Sequence, residues 1–200
     1  MQARTDSPPP LTPHQGMTLV ALARQTLARH LGRPIPPADM QDLEARLADP
    51  AFQARCGTFV TLKINHRLRG CIGSLSANAS LTEGVKDNAL NAALHDPRFS
   101  PLTSTELDAV QIEVSVLSEP ATLDYTDAGD LLSKLKPGID GVILKKGYAS
   151  ATFLPQVWEQ LPQPQAFLSN LCMKAGLSAD RWRQGDLSVQ VYQVQYFQEA

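Results

Sequence analysis

Thr58-Phe59-Val60-Thr61-Leu62-Lys63-Ile64, then Asn65-His66, then Arg67-Leu68-Arg69-Gly70-Cys71-Ile72-Gly73-Ser74 reads as two β-strands joined by a tight turn. The first run is β-branched and apolar, Asn65-His66 has turn chemistry, and the second run returns. The returning strand is unusual because two glycines bracket a cysteine within it. Glycine in a strand interior packs nothing and costs backbone entropy, so it marks a place where something approaches the backbone closely. A ligand, a partner or another strand would each satisfy that requirement.

Working outward, Val20, Ala23, Leu27 and Leu31 recur at helical spacing before the hairpin, and Gly32 with Pro34 ends that helix. Pro34 to Pro37 connects to a short helix near 39–48. After the hairpin, Ser80 and Glu83 form a capping-box signature for a helix to about Leu94. His95-Asp96-Pro97 breaks it, because a residue before proline disfavours helical geometry. Thr103 and Glu106 suggest a second, shorter capping box. Val110, Ile112, Val114 and Val116 alternate with Gln111, Glu113 and Ser115, which predicts a strand with one buried side.

Further on, the pattern predicts a helix over 128–135 and a hairpin around Lys146-Gly147. Pro155 suits the first turn of a helix to Leu161, and Phe167, Leu171 and Ala175 line another that Gly176 closes. Leu187 to Phe197 reads as one long closing strand. Its apolar face switches between Val191 and Tyr192, so a bulge or bend is expected there. Strands in hairpins and singly, among helices of irregular length and without a βαβ rhythm, define an α+β fold with a mainly antiparallel sheet flanked by helices. Residues 1–16, carrying Pro8, Pro9, Pro10 and Pro13, are expected to be a disordered or arm-like tail, with 17–200 as a single domain.

The chain has 200 residues, 43% of them hydrophobic, enough for one substantial core or a core with a minor lobe. A net charge of −2 provides no global field for nucleic acid or anionic membrane. No apolar run reaches membrane-spanning length and no signal-peptide core is present, so the expected location is the cytoplasm. Cys56, Cys71 and Cys172 are odd in number and lack a C-x-x-C pattern, which speaks against a disulfide framework. His14, His30, His66 and His95 lack metal-ligand spacing, so neither an intrinsic metal nor another cofactor is expected.

Several blocks resemble the AMMECR-type domain family, in the family's order. They are Phe59-Val60-Thr61-Leu62 with Leu68-Arg69-Gly70-Cys71-Ile72-Gly73, Asp96-Pro97-Arg98-Phe99, Ile112 to Leu117, Gly138 to Val142 and Thr152 to Gln160. The resemblance covers roughly 15–198. It implies an α+β fold of a larger and a smaller lobe with a cleft between them. It also implies component A of the AmmeMemoRadiSam system, with a Memo-like protein and a radical SAM protein as partners. The reaction is left open by the resemblance. Asn65-His66 departs from the family's frequent Asn-Gly turn, which touches turn geometry alone.

Alternation along the strand would put Arg67, Arg69 and Cys71 on one face, with Leu68 and Ile72 on the core side. A guanidinium beside Cys71 would favour thiolate, which attacks carbon or binds metal. A nucleophile, a redox thiol and a ligand of a borrowed metal are thus open readings, beside that of a small buried hydrophobe. Glu113, mid-strand on the polar face, is either a general acid/base facing the same cleft or one half of a salt bridge with Arg69 or Arg98. Cys71 and Glu113 are the candidate catalytic pair; Arg69, Gly70, Gly73, Ser74, Ser115 and Arg98 are candidate substrate-binding residues. Ser74, Ser76 and Ser80 precede a helix N-terminus, a geometry that can hold an anion. Trp158, Cys56 and Cys172 are read as core.

Three functional classes follow. The first is a domain that binds or modifies a small molecule or modified residue, using Cys71 and Glu113. The second is a non-catalytic adaptor that docks a partner through Leu68–Ser74. The third, nucleic-acid binding, has the least support: Gly70-Cys71-Ile72-Gly73 matches G-x-x-G, but in a strand and without a basic stripe.

Overall fold

A computed structural model describes residues 10–75 and 77–199. Two compact units divide the chain: one runs up to Ser118 and resumes at Gln195, and the other spans Glu119–Val194.

The first unit contains α1 (Pro13–His30), α2 (Pro37–Leu47), β1 (Thr58–Ile64), β2 (Arg67–Ser74), α3 (Leu81–Leu94) and β3 (Val110–Leu117). The returning segment adds β8 (Val194–Gln198), giving a sheet of order β2-β1-β3-β8. Both β1–β2 and β1–β3 are antiparallel. Asn65 and His66 have φ of 49° and 62°, the left-handed pair that a two-residue type I′ hairpin turn requires. The Ser80–Glu83 capping box forms as expected. Thr103 and Glu106 do exchange bonds, but they close a turn ahead of a short 3-10 segment instead of starting an α-helix.

Helices α1 and α3 and one face of the sheet share a core. Leu19, Ala23 and Leu27 meet Val85, Ala89 and Ala92, together with Val60, Leu62, Ile112 and Val114. Asn88, buried on α3, donates to the Thr58 carbonyl and hydroxyl at 3.0 and 2.8 Å and ties helix to sheet.

Part of the expected tail is ordered. Helix α1 starts at Pro13, where Thr12 and Gln15 close a capping box, and the Leu11 amide donates to Gln195. Pro13 is the favoured first-turn residue of that helix and not part of a tail. Residues 1–9 lie outside the described residues.

The second unit holds β4 (Ala121–Thr122), α4 (Ala128–Lys134), β5 (Gly141–Lys146), β6 (Ala149–Phe153), α5 (Val157–Gln160), α6 (Pro164–Lys174) and β7 (Ser188–Tyr192). Its antiparallel sheet has the order β4-β7-β5-β6. The core gathers Leu131, Val142, Leu144, Phe167, Leu168 and Trp182 around Trp158, which stacks on Phe167 at 3.7 Å and donates to the Asp140 carbonyl. Trp158 is therefore core, as its spacing predicted.

The α+β fold with antiparallel sheets is as expected, and the single closing strand is corrected. The apolar switch at Val191/Tyr192 precedes a break at Gln193, and the two halves join different sheets.

Candidate functional site

The register of the first sheet puts Cys71 opposite Thr61, and Thr61 opposite Glu113. These three side chains form a row across β2, β1 and β3, on the face turned away from the core residues Val60, Leu62 and Val114. Thr61 Oγ1 donates to Cys71 Sγ at 3.3 Å. Glu113 is paired by Lys63 Nζ at 2.9 Å, so its ion-pair partner is Lys63 and neither Arg69 nor Arg98. Cys71 and Glu113 lie two strands apart, about 10 Å. That exceeds hydrogen-bond reach, so Glu113 would act on a molecule lying across Thr61, not on the thiol directly.

Cys71 is also held from its outer side, because β2 is an edge strand. The Cys71 amide donates to Asp96 Oδ2 at 2.8 Å, and Arg98 Nη2 donates to the Cys71 carbonyl at 3.2 Å. Arg98 grips the same carboxylate twice, Nε to Oδ1 at 2.9 Å and Nη2 to Oδ2 at 2.7 Å. The ion pair thus takes the place of a neighbouring strand and seals the edge at this point. Asp96 is 2% exposed along its side chain, and the Arg98 guanidinium holds its carboxyl well below the usual range despite burial. Its motif is more than a helix end: it fixes the backbone of Cys71.

Arg69 does something else. A register shift near Leu62/Lys63 leaves it unpaired in the ladder, which breaks the simple alternation expected of β2. Its guanidinium binds Glu106 through Nε at 2.9 Å and the Ser100 carbonyl through Nη1 at 3.0 Å. That pairing, with the Thr103 amide, brings the Glu106 carboxyl down to about 2. Arg69 therefore anchors the 100–106 segment, and its charge is matched by Glu106. The same shift leaves Leu68 42% exposed, not in the core as expected. Phe99 lies between the two guanidiniums, 6.0 Å from Arg69 and 5.5 Å from Arg98.

The glycines have structural explanations. A Cβ at Gly70 would stand 2.1 Å from the Ala92 carbonyl oxygen of α3, and one at Gly73 would stand 2.2 Å from the Phe59 ring. What approaches the strand backbone is thus a helix on one side and an aromatic ring on the other. Ser115 is buried opposite Phe59, and Ser74 is exposed at the end of β2. Ser76 lies outside the described residues. Cys56 and Cys172 are buried, and burial pushes the Cys56 thiol up to about 11. Thr61, Lys63 and the positioning role of Asp96 were missed in the sequence reading. Thr61 and Lys63 sit on the polar parity of β1, and pairing that parity with Glu113 was the available signal.

Among the described residues, no group of three or more His, Cys, Asp or Glu is arranged to hold a metal ion. No described helix is long and apolar enough to cross a membrane.

Fold and site together define an α+β protein of two antiparallel sheets, with a half-buried thiol on the polar face of the first. The AMMECR1 family model matches residues 20–197, and the chain belongs to the AMMECR1 family. A protein from Thermofilum pendens is 39% identical over 208 residues, covering 95% of this chain and 92% of its own. One from Methanothermobacter thermautotrophicus is 37% identical, covering 95% and 97%. Among solved structures, an uncharacterized protein from Pyrococcus horikoshii, PH0010, has a TM-score of 0.78 at 34% identity. The match covers 94% of this chain and 93% of that one.

Proposed function

We propose that the chain acts as component A of the AmmeMemoRadiSam system, alongside a Memo-like and a radical SAM protein. In this reading it binds or modifies a small molecule or modified residue on the polar face of the first sheet. Family membership supports the pathway assignment. The observation that supports the site is the row Cys71–Thr61–Glu113, with the Cys71 backbone fixed from outside by a buried ion pair. Cys71 is the nucleophile, redox thiol or ligand of a borrowed metal, Glu113 the acid/base on the far side of the bound molecule, and Arg69 and Arg98 shape the site.

Exposed Leu68 favours a second reading, an adaptor surface over Leu68–Ser74. Strand addition at Cys71 would first have to displace Asp96 and Arg98. Iodoacetamide labelling of the native protein at neutral pH, followed peptide by peptide, separates the two. The site reading expects Cys71 to label at least about tenfold faster than Cys56 or Cys172, both being buried thiols with little thiolate. Equal, slow labelling of all three would leave the adaptor.

A further inference from the structure

We infer that Arg98 is an anion-recognition residue beside Cys71, and that the molecule taken at this site carries a carboxylate or comparable oxyanion near the atom offered to the thiol. This rests on the Cys71 reading above and adds the substrate class to it.

The Arg98 guanidinium is held from several sides. Asp96, buried, takes Nε and Nη2 in a two-point grip. Nη2 also reaches the Cys71 carbonyl, and the Phe99 ring lies 5.5 Å away. The group is therefore pinned in one orientation against the cysteine. Its Nη1 makes no hydrogen bond among the described residues, and the side chain is 54% exposed. A fixed guanidinium with a spare, solvent-facing edge is suited to a planar oxyanion. The bond from Nη2 to the Cys71 carbonyl, 3.2 Å long, sets the positive charge beside the residue that carries the thiol.

The neighbouring cations are differently placed. Arg69 spends its donors on Glu106, Ser100 and Pro101 with only 14% of its side chain exposed, and Lys63 is taken by Glu113.

The test compares iodoacetate with iodoacetamide at Cys71 in the full chain. In both reactions the thiolate sulfur bonds to the methylene carbon, iodide leaves and the thiol proton goes to solvent. The ratio of the two rates therefore does not depend on how much thiolate is present, and only the carboxylate differs. Relative to N-acetylcysteine in the same buffer, the wild-type ratio is expected to be about tenfold higher, the size of one charged hydrogen bond. Arg98→Gln should bring it close to the free-thiol value, and Arg98→Lys should leave it in between.

A wild-type ratio equal to that of N-acetylcysteine overturns the inference, and this arm needs no variant to fold. So does an unchanged ratio in Arg98→Gln, or a collapse in Lys63→Gln instead. If Cys71 labels with iodoacetamide but shows the free-thiol ratio, only the anion assignment falls. If Cys71 does not label at all, the site reading falls with it.

Discussion

Gly70→Ala is expected to destabilise the protein by about 3 kcal/mol, the upper end of overpacking costs. The added methyl would meet the Ala92 carbonyl oxygen at 2.1 Å, and that atom belongs to helix backbone, not to a side chain that can swing away. Neither element is free to retreat. Helix α3 is tied to β1 through Asn88, and β2 is held by β1 on one edge and by Asp96 and Arg98 on the other. Denaturant unfolding of variant and wild type measures the difference. A loss below about 1 kcal/mol would show that α3 shifts readily. It follows that lost partner binding in a Gly70 variant cannot separate an adaptor from an enzyme, because the fold itself is affected.

The second large effect is at Asp96. Asp96→Ala removes the acceptor for the Cys71 and Arg98 amides and the partner of the guanidinium at once. Because Arg98 is half exposed and regains water, the expected cost is about 2–3 kcal/mol, below that of breaking a fully buried pair. The same carboxylate makes stability depend on pH. Its folded pKa is depressed, so its contribution is complete above the unfolded value of about 3.9 and is lost as pH falls through the folded value. Glu106 acts in the same sense, losing its contribution between 4.5 and about 2. Wild-type stability should therefore decline on acidification below about pH 5, and Asp96→Ala should decline less steeply. Parallel declines for the two proteins would contradict the role given to Asp96.

Much of the fold was legible because its elements carry local signatures. The Ser80–Glu83 box, the alternation from Val110 to Val116 and the turn at Asn65-His66 each depend on neighbours in sequence. The split of 187–197 was only half legible: the apolar switch was visible, but which sheet receives each half depends on long-range pairing. At the site, Cys71 and Glu113 were found because a thiol between glycines and a charge in an apolar strand stand out. The glycines signal a close approach that a ligand, a partner or another strand could make, and in the fold a helix carbonyl and a phenyl ring make it. Arg69 was assigned to the thiol because period-2 alternation cannot foresee a register shift, and that shift sends its guanidinium to Glu106. Arg98 is among the candidates from sequence, but its bond to the Cys71 carbonyl spans 27 residues and depends on Asp96 turning back on β2, which no local pattern shows.

The role proposed for the Cys71 row is tested most directly by the metabolite profile of a strain lacking the gene, complemented with Cys71→Ser. Cys71 is half-buried, so the exchange should leave the protein folded, as a melting curve close to wild type will verify. The account predicts that the Cys71→Ser strain keeps the profile of the deletion, while wild-type complementation reverses it. A Cys71→Ser protein that folds and restores the wild-type profile would contradict the account.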